Sequence, residues 1–256
     1  MDIYTAIILG IIEGFTEFLP ISSTGHMIVA SEFLGISQTQ NTKAFEVIIQ
    51  LAAIFAVFFN YKEKFSRDKL NLWSKVFLAF LPIGIVGFLF SHQVEKLFSI
   101  NVVAVMFIIG GFIFLLLEKF FIPKEEKLTT SVKDITFKQS IIIGFAQVFA
   151  LIPGTSRAGS TIVGALLVGL DRKSSAEFSF LLAFPVMGAV SVYDFLKHYQ
   201  EFSNENLLML IIGFVVAFMV AFITIKLFLK FLEKFTFVFF GFYRIIFGVS
   251  LLIFFN

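Results

Sequence analysis

The sequence contains no cysteine and little charge. Without cysteine the chain can form neither disulfides nor thiolate metal sites. Only 15% of its 256 residues are charged, whereas 58% are hydrophobic and the mean hydropathy is +0.95. A soluble domain has about 25% charged and about 45–50% apolar residues, so one water-soluble core could not bury this excess. We therefore expect an all-α polytopic membrane protein whose apolar surface faces the lipid bilayer.

Basic residues are scarce where a nucleic-acid surface or a targeting signal would need them. The net charge of +2 is too small to indicate binding to nucleic acid. No Lys or Arg precedes Lys43, so the N-terminus lacks the basic region of a cleaved signal peptide. We expect no nucleic-acid partner, and we expect the first apolar segment to remain in the mature protein.

Long hydrophobic runs predict the membrane-crossing helices, since a span needs about 20 apolar residues. Two regions, 3–30 and 140–170, are apolar but interrupted by Pro, Gly, Ser, Thr and charged residues. Irregular backbone at membrane depth needs protein or a water-filled cavity around it, so we interpret both regions as re-entrant helix–loop–helix hairpins. The six remaining runs predict full transmembrane helices at 44–60, 72–91, 101–121, 176–195, 207–225 and 236–255.

The two interrupted regions resemble each other. GIIEGFTE at 10–17 matches SIIIGFAQ at 140–147, and P-I-S-S at 20–23 corresponds to P-G-T-S at 153–156. A re-entrant hairpin returns to its own side and three spans are an odd number, so the second half must enter from the opposite face. The sequence therefore predicts one membrane domain with an inverted-topology repeat, a plan that places sites near the midplane. Repeat 1 would cover 1–121 and repeat 2 would cover 131–256.

The basic residues orient this arrangement. Three of the twenty Lys and Arg residues fall on one predicted side, and Arg157 and Arg244 lie within membrane segments. The other fifteen fall in four segments predicted to share the opposite side, 61–75, 118–139, 171–175 and 226–235. The positive-inside rule assigns these segments to the cytoplasm. Both termini would then lie outside, and the first hairpin would enter the membrane from the exterior.

The first hairpin carries ionisable residues that are costly inside a membrane. Glu13 and Glu17, at i and i+4, lie on one helical face and repel each other. A divalent cation, a shared proton or a nearby arginine would relieve the repulsion, and oxygen ligands suit Mg²⁺ or Ca²⁺. His26 follows Ser22 by four and Ser23 by three, which places an imidazole beside two hydroxyls. A hydroxyl next to a base is the minimum for an activated nucleophile.

The polar tips of the two hairpins predict a site for phosphate. Pro20 should end the first half-helix, and the following Ser-Ser-Thr-Gly can cap the next one and leave backbone N–H groups for an anion. The second tip reads P-G-T-S-R-A-G-S-T at 153–161, where arginine is the preferred phosphate partner. Together the tips predict phosphoryl transfer. We predict metal binding by Glu13 and Glu17, catalytic roles for Glu17, Ser23, His26 and Arg157, and substrate binding by Ser22, Thr24, Gly154, Thr155, Ser156 and Thr161.

The runs E-G-F-T-E-F-L-P-I-S-S-T-G-H at 13–26 and P-G-T-S-R-A-G-S-T at 153–161 resemble the undecaprenyl-diphosphate phosphatase family, also called bacitracin-resistance proteins. The resemblance covers essentially the whole chain. It implies hydrolysis of undecaprenyl diphosphate with a divalent cation, recycling of the carrier lipid for peptidoglycan synthesis, and bacitracin resistance. The family's acidic motif falls on Glu13 and Glu17, its catalytic serine and histidine on Ser23 and His26, and its phosphate-binding arginine on Arg157.

The resemblance also implies a bacterial cytoplasmic (inner) membrane location and a polyprenyl diphosphate lipid as substrate. With the charge pattern, it predicts a site that opens to the extracytoplasmic side. Ala158 stands where many members carry serine, which removes one hydroxyl donor. The alternative is a transporter or flippase of a lipid phosphate, since inverted repeats with broken helices are common there. The nucleophile (Ser23, His26 or water), the cation, the role of Arg244 and the oligomeric state, a homodimer included, are left open.

Overall fold

The computed structural model describes residues 2–37, 39–121, 128–198 and 207–255, and within these ranges the chain is built of α-helices. This outcome confirms the all-α prediction and follows from long apolar runs that must satisfy their backbone hydrogen bonds internally. The helices are α1 (Ile3–Thr16), α2 (Ser23–Phe33), α3 (Gln40–Asn60), α4 (Leu70–Leu89), α5 (Ser91–Glu95), α6 (Ile100–Phe120), α7 (Phe137–Val148), α8 (Arg157–Leu167), α9 (Arg172–His198), α10 (Leu207–Leu232) and α11 (Val238–Phe254).

Four helices of the described chain are long and apolar enough to cross a membrane, which confirms a multi-pass membrane protein. They are Arg67–Leu89, Ile100–Phe120, Arg172–Tyr193 and Leu207–Leu232. The apolar segments Ala44–Asn60 and Val238–Phe254, which we predicted to be full spans, belong to a shorter class of 10–17 residues. The first is part of α3, which has 21 residues in all. The count of six full spans therefore stays a prediction.

The outer surface of the bundle is rich in large apolar side chains. Phe88 is 84% exposed and Phe254 is 76% exposed, and many other Phe, Leu and Ile side chains along the helices are also exposed. A water-soluble monomer rarely shows apolar patches of this extent. The surface is the one that a lipid environment requires.

The two interrupted regions form the expected helix–turn–helix hairpins. In the first, α1 packs against α2, and in the second, α7 packs against α8. The helix α1 ends at Thr16, so Pro20 lies within the turn and does not itself end the helix. A short 3-10 turn at Phe149–Leu151 follows α7 before the second tip. The tips lie between helices of both halves, since α1 also packs on α3 and α10 while α7 also packs on α4.

Close helix crossings in the bundle depend on glycine. A Cβ atom on Gly14 would lie 2.6 Å from the carbonyl oxygen of Ala217 in α10. In the second hairpin, a Cβ atom on Gly144 would lie 2.5 Å from the carbonyl oxygen of Ala79 in α4. No side chain fits such a space without moving backbone, and small residues at helix interfaces are typical of membrane proteins. Glycine thus lets each hairpin approach a long helix closely.

The segments predicted to share one side are joined at one end of the bundle. Glu118 accepts hydrogen bonds from Arg172, at 2.5 and 2.9 Å, and from the backbone N–H of Phe237 at 2.8 Å. Lys75 Nζ donates to the carbonyl oxygen of Lys133, and Lys173 pairs with a carboxylate at the end of α10. The four basic segments therefore meet. Lys124 and Lys127, which we counted among them, lie outside the described residues.

Candidate active site

The two hairpins are joined by an ion pair between Arg157 and Glu17. Arg157 is the first residue of α8, and its Nη2 donates to Glu17 Oε1 at 2.8 Å. Its Nη1 donates to the carbonyl oxygen of Ser179 in α9 at 3.0 Å. The two side chains are only 10% and 6% exposed. A nearby arginine was one of the three ways to stabilise the paired carboxylates, and the structure places it there.

Ser23 is hydrogen-bonded to Glu17 and not to His26. The Ser23 hydroxyl donates to Glu17 Oε2 at 2.6 Å, and both side chains are buried. This contact corrects the pairing that we expected from the i, i+3 spacing. Ser23 and His26 both lie in α2, as the spacing predicted, but the ring nitrogens of His26 contact the carbonyl oxygen of Ser22 and the hydroxyl of Tyr243 instead. The hydrogen-bonded carboxylate of Glu17 is therefore the group that can accept the proton of Ser23.

His26 contacts a different set of groups. Its Nδ1 lies 2.8 Å from the carbonyl oxygen of Ser22, and its Nε2 lies 2.5 Å from the hydroxyl oxygen of Tyr243 in α11. The imidazole stacks on Phe247 with ring centroids 4.5 Å apart. Sequence reasoning missed Tyr243, which lies 217 residues away and carries no recognisable signal beyond its position next to Arg244.

Glu13 offers the clearest place for a cation. Glu13 is 3% exposed, and its Oε1 has no hydrogen-bond partner within the described residues. Burying a carboxylate oxygen without a partner is costly unless a proton or a cation compensates. Glu13 therefore fits a hard cation such as Mg²⁺ or Ca²⁺, which prefers oxygen ligands, whereas the oxygens of Glu17 are already engaged by Arg157 and Ser23. The described ranges contain no cluster of three or more acidic or histidine residues for a metal, so further ligands must come from elsewhere.

The residues that precede α2 and α8 have matching backbone geometry. Ser22 and Ser156 both have positive φ values, 66° and 77°, which are rare for residues other than glycine. The Ser156 hydroxyl accepts from the backbone N–H of Gly159 at 3.0 Å and caps α8. The Ser22 side chain makes no cap hydrogen bond to α2. The N-terminal N–H groups of α2 are then left for a ligand, and such groups favour anions.

The other predicted substrate-binding residues divide into two groups. Thr155 has a buried hydroxyl with no partner in the described structure, and Gly154 has φ 88° with the backbone of Val103 packed against it. Both lie at the second tip. By contrast, the Thr161 hydroxyl contacts the carbonyl oxygen of Arg157 and the hydroxyl of another helix. Because these contacts occupy the Thr161 hydroxyl in helix packing, the geometry does not support direct contact between Thr161 and the substrate. The fourth residue, Thr24, is exposed.

Arg244, whose role the sequence left open, ties the two tips together. Its guanidinium is fully buried and donates to the carbonyl oxygens of Pro20 at 3.0 Å and of Gly154 at 2.9 Å. It also donates to Met106 and lies over the ring of Phe107, with 5.1 Å to the centroid. One side chain from α11 thus fixes the backbone of both hairpins. A lone arginine within an apolar span was the only signal for it.

An apolar cavity of about 870 Å³ adjoins His26. It lies between α1, α2, α10 and α11, and hydrocarbon side chains form most of its wall. Its polar lining groups are His26, Tyr243 and two threonines. Six phenylalanines also line it, which gives part of the large phenylalanine content a specific place: Phe15, Phe228, Phe231, Phe239, Phe240 and Phe247.

An apolar helical bundle with acid, hydroxyl and arginine groups buried between two hairpin tips defines an integral membrane protein with a polar internal site suited to phosphate. Comparison with known proteins then identifies the family. The model of the bacitracin resistance protein BacA matches residues 6–250, and the chain belongs to that family.

Curated relatives align along the full length of the chain. The undecaprenyl-diphosphatase of Sulfurimonas denitrificans is 70% identical over 100% of both chains. Undecaprenyl-diphosphatase 2 of Pseudoalteromonas translucida is 64% identical over 98% of each chain. The undecaprenyl-diphosphatase of Methanococcus aeolicus is 53% identical over 100% of this chain and 99% of its own. The family membership that the two motifs indicated is thereby confirmed.

Proposed function

We propose that this protein is an undecaprenyl-diphosphatase, which hydrolyses undecaprenyl diphosphate to undecaprenyl phosphate and inorganic phosphate. The observation that carries the proposal is the buried Glu17, with Arg157 on one carboxylate oxygen and Ser23 on the other. Full-length relatives bear the name of that activity. The product is the carrier lipid for peptidoglycan synthesis. Removing the diphosphate also removes the target of bacitracin, which explains the resistance for which the family is named.

The second tip supplies groups that stabilise phosphate charge. Arg157 keeps one donor free, because its Nε is buried without a partner in the described structure. The unpartnered hydroxyl of Thr155 lies two residues earlier, and the N-terminus of α2 presents uncapped N–H groups. Phosphoryl transfer depends mainly on positioning and on such electrostatic stabilisation of the transferring group. These donors would bind the terminal phosphate and hold it beside Ser23.

The Glu17–Ser23 pair supports attack by the serine hydroxyl. As the Ser23 oxygen forms a bond to the terminal phosphorus, its proton moves to Glu17 Oε2 and undecaprenyl phosphate leaves. A water molecule then attacks the phosphoserine with His26 as base, and the bond from phosphorus to the serine oxygen breaks. Ser23 recovers its proton from Glu17, and inorganic phosphate leaves with the proton that His26 took from the water. The first step uses the hydrogen bond between Ser23 and Glu17, and the second uses His26, which lines the cavity.

A divalent cation, Mg²⁺ or Ca²⁺, forms part of the proposal, with Glu13 and Glu17 as the residues that would hold it. When bound, it would neutralise negative charge on the diphosphate. Glu13 supports this role because its Oε1 lacks a partner in the described structure. The phosphate oxygens of the substrate are the natural source of the remaining ligands.

We further propose that the chain is one membrane domain made of inverted repeats 1–121 and 131–256, each with three full spans and one re-entrant hairpin. The matched runs at 10–17 and 140–147 and the matched tips at 20–23 and 153–156 support the repeat. In the structure α1 packs on α10 as α7 packs on α4, and exchanging the halves interchanges these pairs. The same exchange maps the packing of α6 on α11 onto itself. A pseudo-twofold axis between the halves accounts for these contacts.

The proposed location is the bacterial cytoplasmic membrane, with the basic end of the bundle in the cytoplasm and the site opening to the extracytoplasmic side. The polyprenyl tail would occupy the apolar cavity, whose wall resembles the tail in polarity.

The decisive experiment measures inorganic phosphate released from undecaprenyl diphosphate by the purified protein in detergent, with EDTA and after Mg²⁺ or Ca²⁺ is added back. We expect release by the wild type, loss with EDTA, and a decrease of about 100-fold or more for Ser23→Ala, His26→Ala and Arg157→Ala. Ser250→Ala is the matched control, because its hydroxyl only contacts its own helix in α11.

The same assay separates hydrolysis from the transporter alternative. Hydrolysis proceeds in detergent, whereas transport requires two compartments. Wild-type protein that binds the lipid but releases no phosphate would favour the flippase, and vesicle assays of lipid movement would then follow. Full activity in Arg157→Ala would end the assignment of that arginine to phosphate.

A further inference from the structure

The contact between Tyr243 and His26 determines which nitrogen of the histidine can act as a base. His26 Nδ1 faces the carbonyl oxygen of Ser22 at 2.8 Å. A carbonyl oxygen only accepts hydrogen bonds, so Nδ1 carries a proton. In the neutral imidazole Nε2 then bears the lone pair, and the Tyr243 hydroxyl, 2.5 Å away, donates to it.

Aromatic rings hold the imidazole in this orientation. The ring planes of His26 and Tyr243 are nearly parallel, with an angle of 7° between them. Phe247 stacks on the imidazole, and Phe107 packs against it at 5.6 Å between centroids. Rotation of the histidine about its side-chain bonds would break both hydrogen bonds and this stack.

His26 lines the apolar cavity, whereas the Ser23 hydroxyl is hydrogen-bonded to Glu17. Both His26 and Tyr243 line the cavity, and Tyr243 is 40% exposed. Ser23 is bonded to Glu17. The site therefore contains two separate hydrogen-bonded pairs, one of Glu17 with Ser23 and one of His26 with Tyr243.

We propose that Tyr243 is a positioning residue for the hydrolysis, an inference that rests on the proposed function. Its hydroxyl keeps His26 Nε2 unprotonated and directed at the place where the attacking water binds. That water displaces the tyrosine hydroxyl from Nε2, gives one proton to Nε2, and forms the new bond to phosphorus as the bond to the Ser23 oxygen breaks. The tyrosine keeps its own proton throughout. Tyr243 thus acts through His26 and not on the substrate.

The first test compares turnover in Tyr243→Phe, which removes the hydroxyl and keeps the ring. We expect kcat to decrease about tenfold or more, with KM changed less than about threefold, because a base that is no longer oriented loses part of its contribution. In the background of His26→Ala, Tyr243→Phe should cause no further loss, since a double-mutant cycle isolates action through the partner. Tyr193→Phe is the matched control, because that tyrosine is 64% exposed on α9.

The second test needs no substrate and so remains informative if the protein proves not to be a phosphatase. The chain has three histidines. With His92 and His198 replaced by Gln, ¹⁵N spectra of histidine-labelled protein report on His26 alone. We expect the tautomer protonated at Nδ1, and a shift of the Nε2 resonance in Tyr243→Phe.

Several results would overturn the proposal. These are a wild-type His26 protonated only at Nε2, an unchanged Nε2 resonance in Tyr243→Phe, full turnover in that variant, or an additive loss in the His26→Ala background. Thermal stability of each variant in the same detergent identifies any loss that comes from unfolding. If Tyr243→Phe is unstable, a wild-type His26 protonated only at Nε2 still overturns the proposal.

Discussion

Gly111 and Gly241 pack directly against each other where α6 crosses α11. A Cβ atom on Gly111 would lie 2.6 Å from the carbonyl oxygen of Gly241, and the reverse distance is 3.0 Å. The crossing brings Arg244, one turn along α11, to both hairpin tips.

Replacing Gly111 should weaken this crossing. The methyl group of Gly111→Ala meets a backbone oxygen and the side chain of Ile245, so the helices must separate, at a cost of about 1–3 kcal/mol. Thermal unfolding in detergent should show a lower midpoint. Gly188→Ala is the control, because a Cβ atom there meets nothing within 4 Å. An unchanged midpoint in Gly111→Ala would contradict the close crossing.

Replacing Glu17 and replacing Ser23 should decrease phosphate release in a non-additive way. Glu17→Gln removes the charge that pairs with Arg157 and accepts the serine proton, and Ser23→Ala removes the hydroxyl. We expect each change to decrease phosphate release by about 100-fold or more, and the double variant to be scarcely worse than either. Exposed Glu63→Gln serves as the control for charge removal. Fully additive losses would show that the two residues act separately.

The sequence predicted which residues form this site better than it predicted the contacts between them. Composition and the lengths of the apolar runs determine the membrane class, and motif similarity locates both hairpins, since these signals are local. The predicted pairing of Ser23 with His26 was wrong because Ser23 bonds across the hairpin tip to Glu17, and His26 bonds to Tyr243 of a distant helix. The contacts of Arg244 and Tyr243 join residues more than 80 positions apart, so they exist only once the helices pack.

Arg244 should be required for both stability and activity, although the proposed chemistry does not involve it. Arg244→Met fills similar space but leaves the carbonyl oxygens of Pro20 and Gly154 without donors. Unsatisfied buried groups cost about 1–3 kcal/mol each, so we expect a lower unfolding midpoint and, below it, a decreased kcat. Arg67→Met, at an exposed position, is the control. Normal activity with reduced stability would limit Arg244 to a structural role.

Replacing Glu13 should raise the cation concentration that the reaction requires, without removing the contact between Ser23 and Glu17. Its Oε1 has no partner in the described structure, unlike the two engaged oxygens of Glu17. Glu13→Gln removes one negative charge from the proposed cation site, so the Mg²⁺ or Ca²⁺ concentration for half-maximal phosphate release should rise about tenfold or more. Titrating cation into EDTA-treated protein measures this directly, with Glu32→Gln on the exposed end of α2 as control. If Glu13→Gln lowers the maximal rate without moving the cation midpoint, Glu13 serves the reaction in another way.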